Sequence, residues 1–121
     1  MTLDSRLATV VDAARSKKAF RIRLLDVKDI ASFTDTFAFM SGGSDRQNRA
    51  IAEAVEDALK AAGERPISRE GEANGNWVLL DFGNLVVHVM DEETRRHYNL
   101  EGLWDAGHEL ELPTETHPAS E

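Results

Sequence analysis

The chain contains no cysteine. Disulfides, thiolate metal ligands and cysteine nucleophiles are thereby excluded, and the absence suits a reducing compartment. No apolar run approaches the roughly 20 residues that a membrane-spanning helix needs. The opening stretch, MTLDSRLATVVDAARSKKAF, lacks the basic-then-apolar order of a secretory signal and carries charges throughout. A cytoplasmic protein with no membrane partner is expected. A basic stripe is missing too: 14 lysines and arginines stand against 22 aspartates and glutamates, a net charge of −8. Surfaces that bind phosphate backbone concentrate their cations, because counterion release drives that binding. Here they are scattered. Direct, sequence-specific nucleic-acid binding is not expected, and the acidic balance favours a basic protein partner.

What is present is 121 residues, 41% hydrophobic and 30% charged, enough for one compact domain and too few for two. Residues 3–19 place Leu3, Leu7, Val10, Val11 and Ala14 on one helical face. FRIRLLDV (Phe20–Val27) and TFAFM (Thr36–Met40) read as strands. In the polar crossing between them, Ile30 and Phe33 are expected to pin the loop to the core, and Thr34-Asp35 reads as a side-chain-capped turn. A second helix opens at Ser44, with Gln47 completing a capping box, and stops at Gly63 ahead of Pro66. Pro66–Arg69 reads as a short edge strand and EGEANGN as a loop. NWVLLDFGNLVVHVM, Asn76–Met90, reads as a hairpin about Gly83-Asn84. Asp91 is placed to cap a short helix, Glu92–His97, and Tyr98, Leu100, Leu103 and Trp104 follow as anchors. From Asp105 onward the chain is acidic and contains two prolines, so a mobile tail is expected, giving a domain over 1–104 and a tail over 105–121. The order predicts a single mixed β-sheet of α/β or α+β class, with helices mostly on one side. The long crossover after Met40 permits one parallel pairing.

A two-residue loop sets the hairpin register: Asp81 opposite Val86, Leu79 opposite His88, Trp77 opposite Met90. One face then carries Phe82, Leu85, Leu80, Val87, Val78 and Val89, wholly apolar, and belongs under the helices. The other carries Trp77, Met90, Leu79, His88, Asp81 and Val86. It is too apolar for open solvent and too polar for a dry core. Such a mixture suits a partner interface, or a face covered by Tyr98–Trp104 returning across it.

The stretch Ser41–Ser44, SGGS, precedes a helix and could hold a phosphate on free amides. Strand-SGGS-helix is also the opening of nucleotidyltransferases, whose chemistry needs two carboxylates on a neighbouring strand to hold magnesium. No Asp-x-Asp or Asp-x-Glu follows on a strand, and Asp81 stands alone on its own. Helix capping is the better account, and no metal or cofactor is expected. His88 has no second histidine nearby for a metal or a triad, so a structural or interface role is favoured. Glycine after Glu70 is expected to relieve the backbone.

Taken in order, Leu-Asp-Val (25–27), Thr-Asp (34–35), Ser-Gly-x-Ser with Arg-Gln (41–47), Glu-Gly (70–71), Trp-Val-Leu-Leu-Asp (77–81), Val-Val-His-Val (86–89) and Arg-x-x-Tyr-x-Leu-Glu-x-Leu-Trp (95–104) resemble the ribosomal silencing factor family, also called Iojap-like. The resemblance runs from the first strand to Trp104. It implies a nucleotidyltransferase-like fold without the activity, and no enzyme. It implies a translational repressor that binds the large ribosomal subunit through ribosomal protein number fourteen and blocks joining of the small subunit when nutrients are scarce, in the bacterial cytoplasm. A homodimer in isolation is a further implication. Combined with the hairpin face, the resemblance nominates Trp77, Leu79, Asp81, His88, Met90, Tyr98, Leu100 and Glu101 as partner-binding residues, Trp77 first. The ribosomal RNA is expected to be avoided rather than grasped. The rival expectation is a nucleotide-binding enzyme that uses SGGS for triphosphate. Thr36 departs from the family pattern, being smaller than the residue expected after Thr-Asp.

Overall fold

In this computed structural model, residues 3–104 and 107–113 are described. The elements run α1 (Leu3–Ser16), β1 (Phe20–Asp26), β2 (Thr36–Ser41), α2 (Asp45–Ala61), β3 (Ser68–Glu70), β4 (Trp77–Asp81), β5 (Leu85–Met90), α3 (Glu92–Tyr98), α4 (Leu100–Leu103) and β6 (His108–Leu110). The six strands form one sheet in the order β3-β4-β5-β2-β1-β6. Among the described residues only β2 and β5 pair in parallel, Thr36 opposite Leu85 through Ser41 opposite Met90. This is the mixed sheet that the element order predicts.

Alternation along the strands splits the interior into two cores. On one side, Leu7, Val10, Val11 and Ala14 of α1 and Ile51, Val55 and Leu59 of α2 pack on Leu24, Met40, Val78, Leu80, Val87 and Val89. On the other, Leu25, Val27, Ala31, Phe37, Phe39, Val86 and Met90 form a second cluster, with Trp77, Leu79, Leu100 and Trp104 packed against it. Thr36 is buried between Asp26 and Leu85, a slot flanked on both sides by neighbouring strands. The hairpin register is as derived, from Trp77 opposite Met90 to Asp81 opposite Val86.

Local chemistry accounts for the boundaries. The Ser44 Oγ accepts from the Gln47 N–H at 3.0 Å, and the Gln47 side-chain oxygen accepts from the Gly43 N–H at 2.7 Å. The Gln47 amide also donates to the carbonyls of Lys17 and Lys18, tying the start of α2 to the end of α1. A Cβ on Gly42 would lie 2.4 Å from Asn48 Oδ1, so glycine is required there by close approach. The SGGS stretch is thus a helix cap and a packing joint. Gly71 has φ +85, and a Cβ on it would sit 1.8 Å from the Trp77 carbonyl oxygen; only glycine admits the turn that brings β3 alongside β4.

Three expectations need correction. Helix α1 ends at Ser16 rather than 19, where the chain turns through Lys18 at φ 65. Ile30 and Phe33 are not buried anchors of the crossing: they are 42% and 61% exposed, Phe33 only leans its ring on Phe37 and Trp104, and the neighbouring Val27 and Ala31 are buried instead. The segment after Trp104 does not remain apart from the fold, because His108–Leu110 add an antiparallel strand to β1, Leu24 opposite Leu110. The physical reason is the open edge of β1, whose backbone groups need partners. Arg15 donates to the Pro113 carbonyl at 2.8 Å and anchors the strand's exit. The rest of the expected tail, residues 105–106 and 114–121, lies outside the described residues.

A candidate docking face

The second face of the sheet is an aromatic stack with an exposed rim. Phe39 lies parallel to the His88 ring, centroids 5.0 Å apart, and Phe37 packs on both. His88 is buried, and its Nδ1 accepts from the Trp77 indole N–H at 3.1 Å. Accepting at Nδ1 places the proton of the neutral ring on Nε2. Burial pushes the His88 pKa down to about 4, against a smaller opposing pull from Glu101. The imidazole is therefore a neutral acceptor that holds the tryptophan at the edge of the stack.

Around this base lies a half-exposed band. Trp77 and Leu79 are partly buried, and Tyr98, 54% exposed, packs on the Trp77 ring at 5.1 Å. Trp104 packs against Phe37 at 5.3 Å and against the exposed Phe33 at 5.8 Å. Leu103, expected as an anchor, is 72% exposed. Asp81 is partly buried and spends a carboxylate oxygen on the Gly83 N–H of the hairpin turn at 2.8 Å.

An ion-pair network holds α3 and α4 on this face. Arg95 is buried and makes a two-pronged pair with Glu101, Nε to Oε1 at 2.7 Å and Nη2 to Oε2 at 3.0 Å. Its remaining nitrogen donates to Ser41 Oγ at 2.8 Å. Glu101 also accepts from Arg23, which in turn grips Glu109 of β6. Burial pushes the Glu101 carboxyl up, but its bonds to Arg95 and then Arg23 outweigh that and hold it below the usual carboxylate range. Arg23 is raised, first by its bond to Glu109. The chain reverses between α3 and α4 at Asn99, φ 46, a left-handed position that asparagine tolerates. That reversal brings Arg95 and Glu101, separated by six positions, face to face.

The nominated residues therefore divide. Trp77, Leu79, Tyr98, Leu100 and Asp81 lie in or beside the band. His88, Met90 and Glu101 are buried and cannot present their side chains to a partner; they support the band from beneath. Sequence reasoning missed Arg95 and Arg23 as its framework, and Phe33 as an exposed member. The signal for Arg95 was an arginine six residues before a glutamate with an intervening asparagine. Among the described residues no group of three or more histidines and carboxylates is arranged to hold a metal ion, and no helix is long and apolar enough to cross a membrane.

A family model described as "Ribosomal silencing factor during starvation" matches residues 1–121. The chain belongs to the ribosomal silencing factor family. Two curated relatives carry the name ribosomal silencing factor RsfS. That of Halalkalibacterium halodurans is 35% identical over 112 residues, covering 93% of this chain and 96% of its own. That of Bacillus subtilis is 38% identical over 104 residues, covering 86% and 88%. A solved structure of a Chromobacterium violaceum protein superposes with a TM-score of 0.84 at 30% identity, covering 100% of both chains. Membership makes the protein a regulator of translation associated with the ribosome, and the family is one of regulators rather than of known enzymes.

Proposed function

We propose that this protein docks on the large ribosomal subunit through ribosomal protein number fourteen and blocks joining of the small subunit by occupying space. The observation that carries the reading is the band itself: an exposed apolar and aromatic rim on a rigid, ion-paired base. Interfaces concentrate their energy in such anchors, ringed by polar groups that exclude water. No reaction is needed, only affinity and bulk. The net charge of −8 favours a basic protein partner. The direct contacts are Trp77, Leu79, Asp81, Tyr98 and Leu100, extended by Phe33. Docking lies within residues 1–104, and the segment that follows closes the edge of β1. The repressor works in the bacterial cytoplasm under nutrient limitation. A homodimer would use the same band and so compete with the ribosome; a monomer at every concentration in sedimentation velocity would remove that point.

The test is co-sedimentation with isolated large and small subunits, wild type beside Trp77→Ala and Ser44→Ala. Pelleting with the large subunit alone is expected, lost in the tryptophan variant and kept in the serine variant. Preincubation of large subunits with the wild type should then suppress joining in a light-scattering assay. Pelleting with neither subunit would sink the reading.

A further inference from the structure

Although the net charge is −8, four arginines gather in one place. Beside α4 opens a cleft of about 530 Å³ lined by Arg21, Arg23, Arg95 and Arg96, with Asn99 and Glu101. Glu101 is the one carboxylate on its wall, and it is already bonded to Arg95 and Arg23. Two other acids grip the arginines: Glu92 binds Arg21 and Glu109 binds Arg23. These pairs, with the Ser41 bond, engage every nitrogen of Arg23 and of Arg95, so the donors open to a ligand are those of Arg21 and Arg96. Arg21 spends a single nitrogen on Glu92, and Arg96, exposed, makes no ion pair among the described residues.

The position of Arg21 is built in. Between the pairs Phe20–Ser41 and Arg23–Phe39, β1 carries two residues where β2 carries one, and Arg21 sits in that bulge at φ 51. Bulges re-aim side chains, and here Arg21 and Arg23 line one cleft. Among the described residues, the four cations on its wall are all arginines. Arginine's planar, weakly hydrated fork suits phosphate oxygens, two donors at a time. The volume falls in the range that accepts a small-molecule-sized group. The cleft also shares α4 with the docking band: Asn99, Glu101 and Gly102 line the cleft, while Leu100 and Trp104 pack on the aromatic face.

We propose that the arginine cleft takes a backbone phosphate of ribosomal RNA lying next to the protein partner when the band docks. The inference rests on the docking reading. It corrects the expectation that RNA is only avoided: the bulk of the surface repels it, and one cleft accepts it. Recognition is of backbone and not of base, so it carries no sequence preference.

The test is the salt dependence of binding to isolated large subunits at fixed magnesium, for wild type, Arg96→Ala, the double variant Arg21→Ala/Arg96→Ala, and Trp77→Ala. Arg23 and Arg95 stay intact because the fold uses them. Each lost phosphate contact should flatten the slope of log affinity against log salt by close to one. For the one phosphate proposed, the wild type should therefore lose roughly fourfold more affinity than the double variant between about 50 and 200 mM salt. Trp77→Ala should weaken binding at every salt concentration and keep the wild-type slope. A photoreactive benzoylphenylalanine in place of Arg96 should cross-link to RNA. An unchanged slope in the double variant, or cross-links to protein alone, would overturn the cleft proposal and leave docking standing. Failure of the wild type to bind at the lowest salt would remove both.

Discussion

The two faces of the sheet are built from the same strands and have opposite characters. Beneath α1 and α2 the face is aliphatic and closed, with Val78, Leu80, Val87 and Val89 no more than 1% exposed. The opposite face is aromatic, carries a buried histidine and a buried ion pair, and ends in exposed Phe33 and Tyr98. A helix with a regular apolar stripe covers its sheet completely, as α2 does. A short reversed pair of helices covers only the middle and leaves a rim. Stability and docking are thereby placed on different sides of one sheet.

Variants can pull that division apart. The largest effect is expected from Glu101→Ala, which strands the buried Arg95 guanidinium. Loss of one partner of a buried pair costs about 3–5 kcal/mol, and chemical denaturation should show it together with weakened large-subunit binding. On the closed face, Leu59→Ala should cost about 3 kcal/mol through its cavity and leave binding by the folded protein unchanged. A docking defect in folded Leu59→Ala would break the division.

His88 sharpens it through pH. Its folded pKa of about 4 lies below the ordinary 6.5, so the unfolded chain binds a proton first as pH falls. Its contribution is complete above the unfolded value and is lost as pH drops toward the folded one. Between pH 7 and 5 the loss is about 2 kcal/mol. Subtracting the denaturation curves of His88→Asn from those of the wild type across this window should isolate it. A flat difference would mean that the imidazole is not held neutral by burial. The smallest effect on folding is expected on the rim. Phe33→Ala should change stability by less than about 0.5 kcal/mol and weaken docking by about 1 kcal/mol, read as a several-fold rise in Kd. Equal losses in both quantities would show Phe33 to be a core residue after all.

The legibility of these two faces differed for a physical reason. Period-2 alternation and a two-residue loop determine hairpin register locally, so the pairing of Trp77 with Met90 could be read without any structure. Burial cannot be read that way. His88 and Met90 share a strand face with the partly exposed Leu79 and Trp77 side of the hairpin, yet β2 lies against β5 and closes over them. Ile30, Phe33 and Leu103 looked like anchors because large apolar side chains are usually inside; hydropathy does not say which of them find neighbours. Strand β6 was illegible because an acidic stretch with prolines resembles a free tail, and only the unpaired edge of β1 gives it a place.

By itself the sequence determined the elements from α1 to α3, the caps at Ser44 and Asp91, the hairpin register and, through its ordered motifs, the family. These depend on neighbours a few residues apart or on patterns kept in order along the chain. The tertiary structure alone decided which aromatic side chains are exposed, that Arg95 meets Glu101 and Glu101 meets Arg23, and that four arginines gather in one cleft of an acidic protein. Those facts depend on the sheet order β3-β4-β5-β2-β1-β6, which brings distant segments together through packing and not through any local preference.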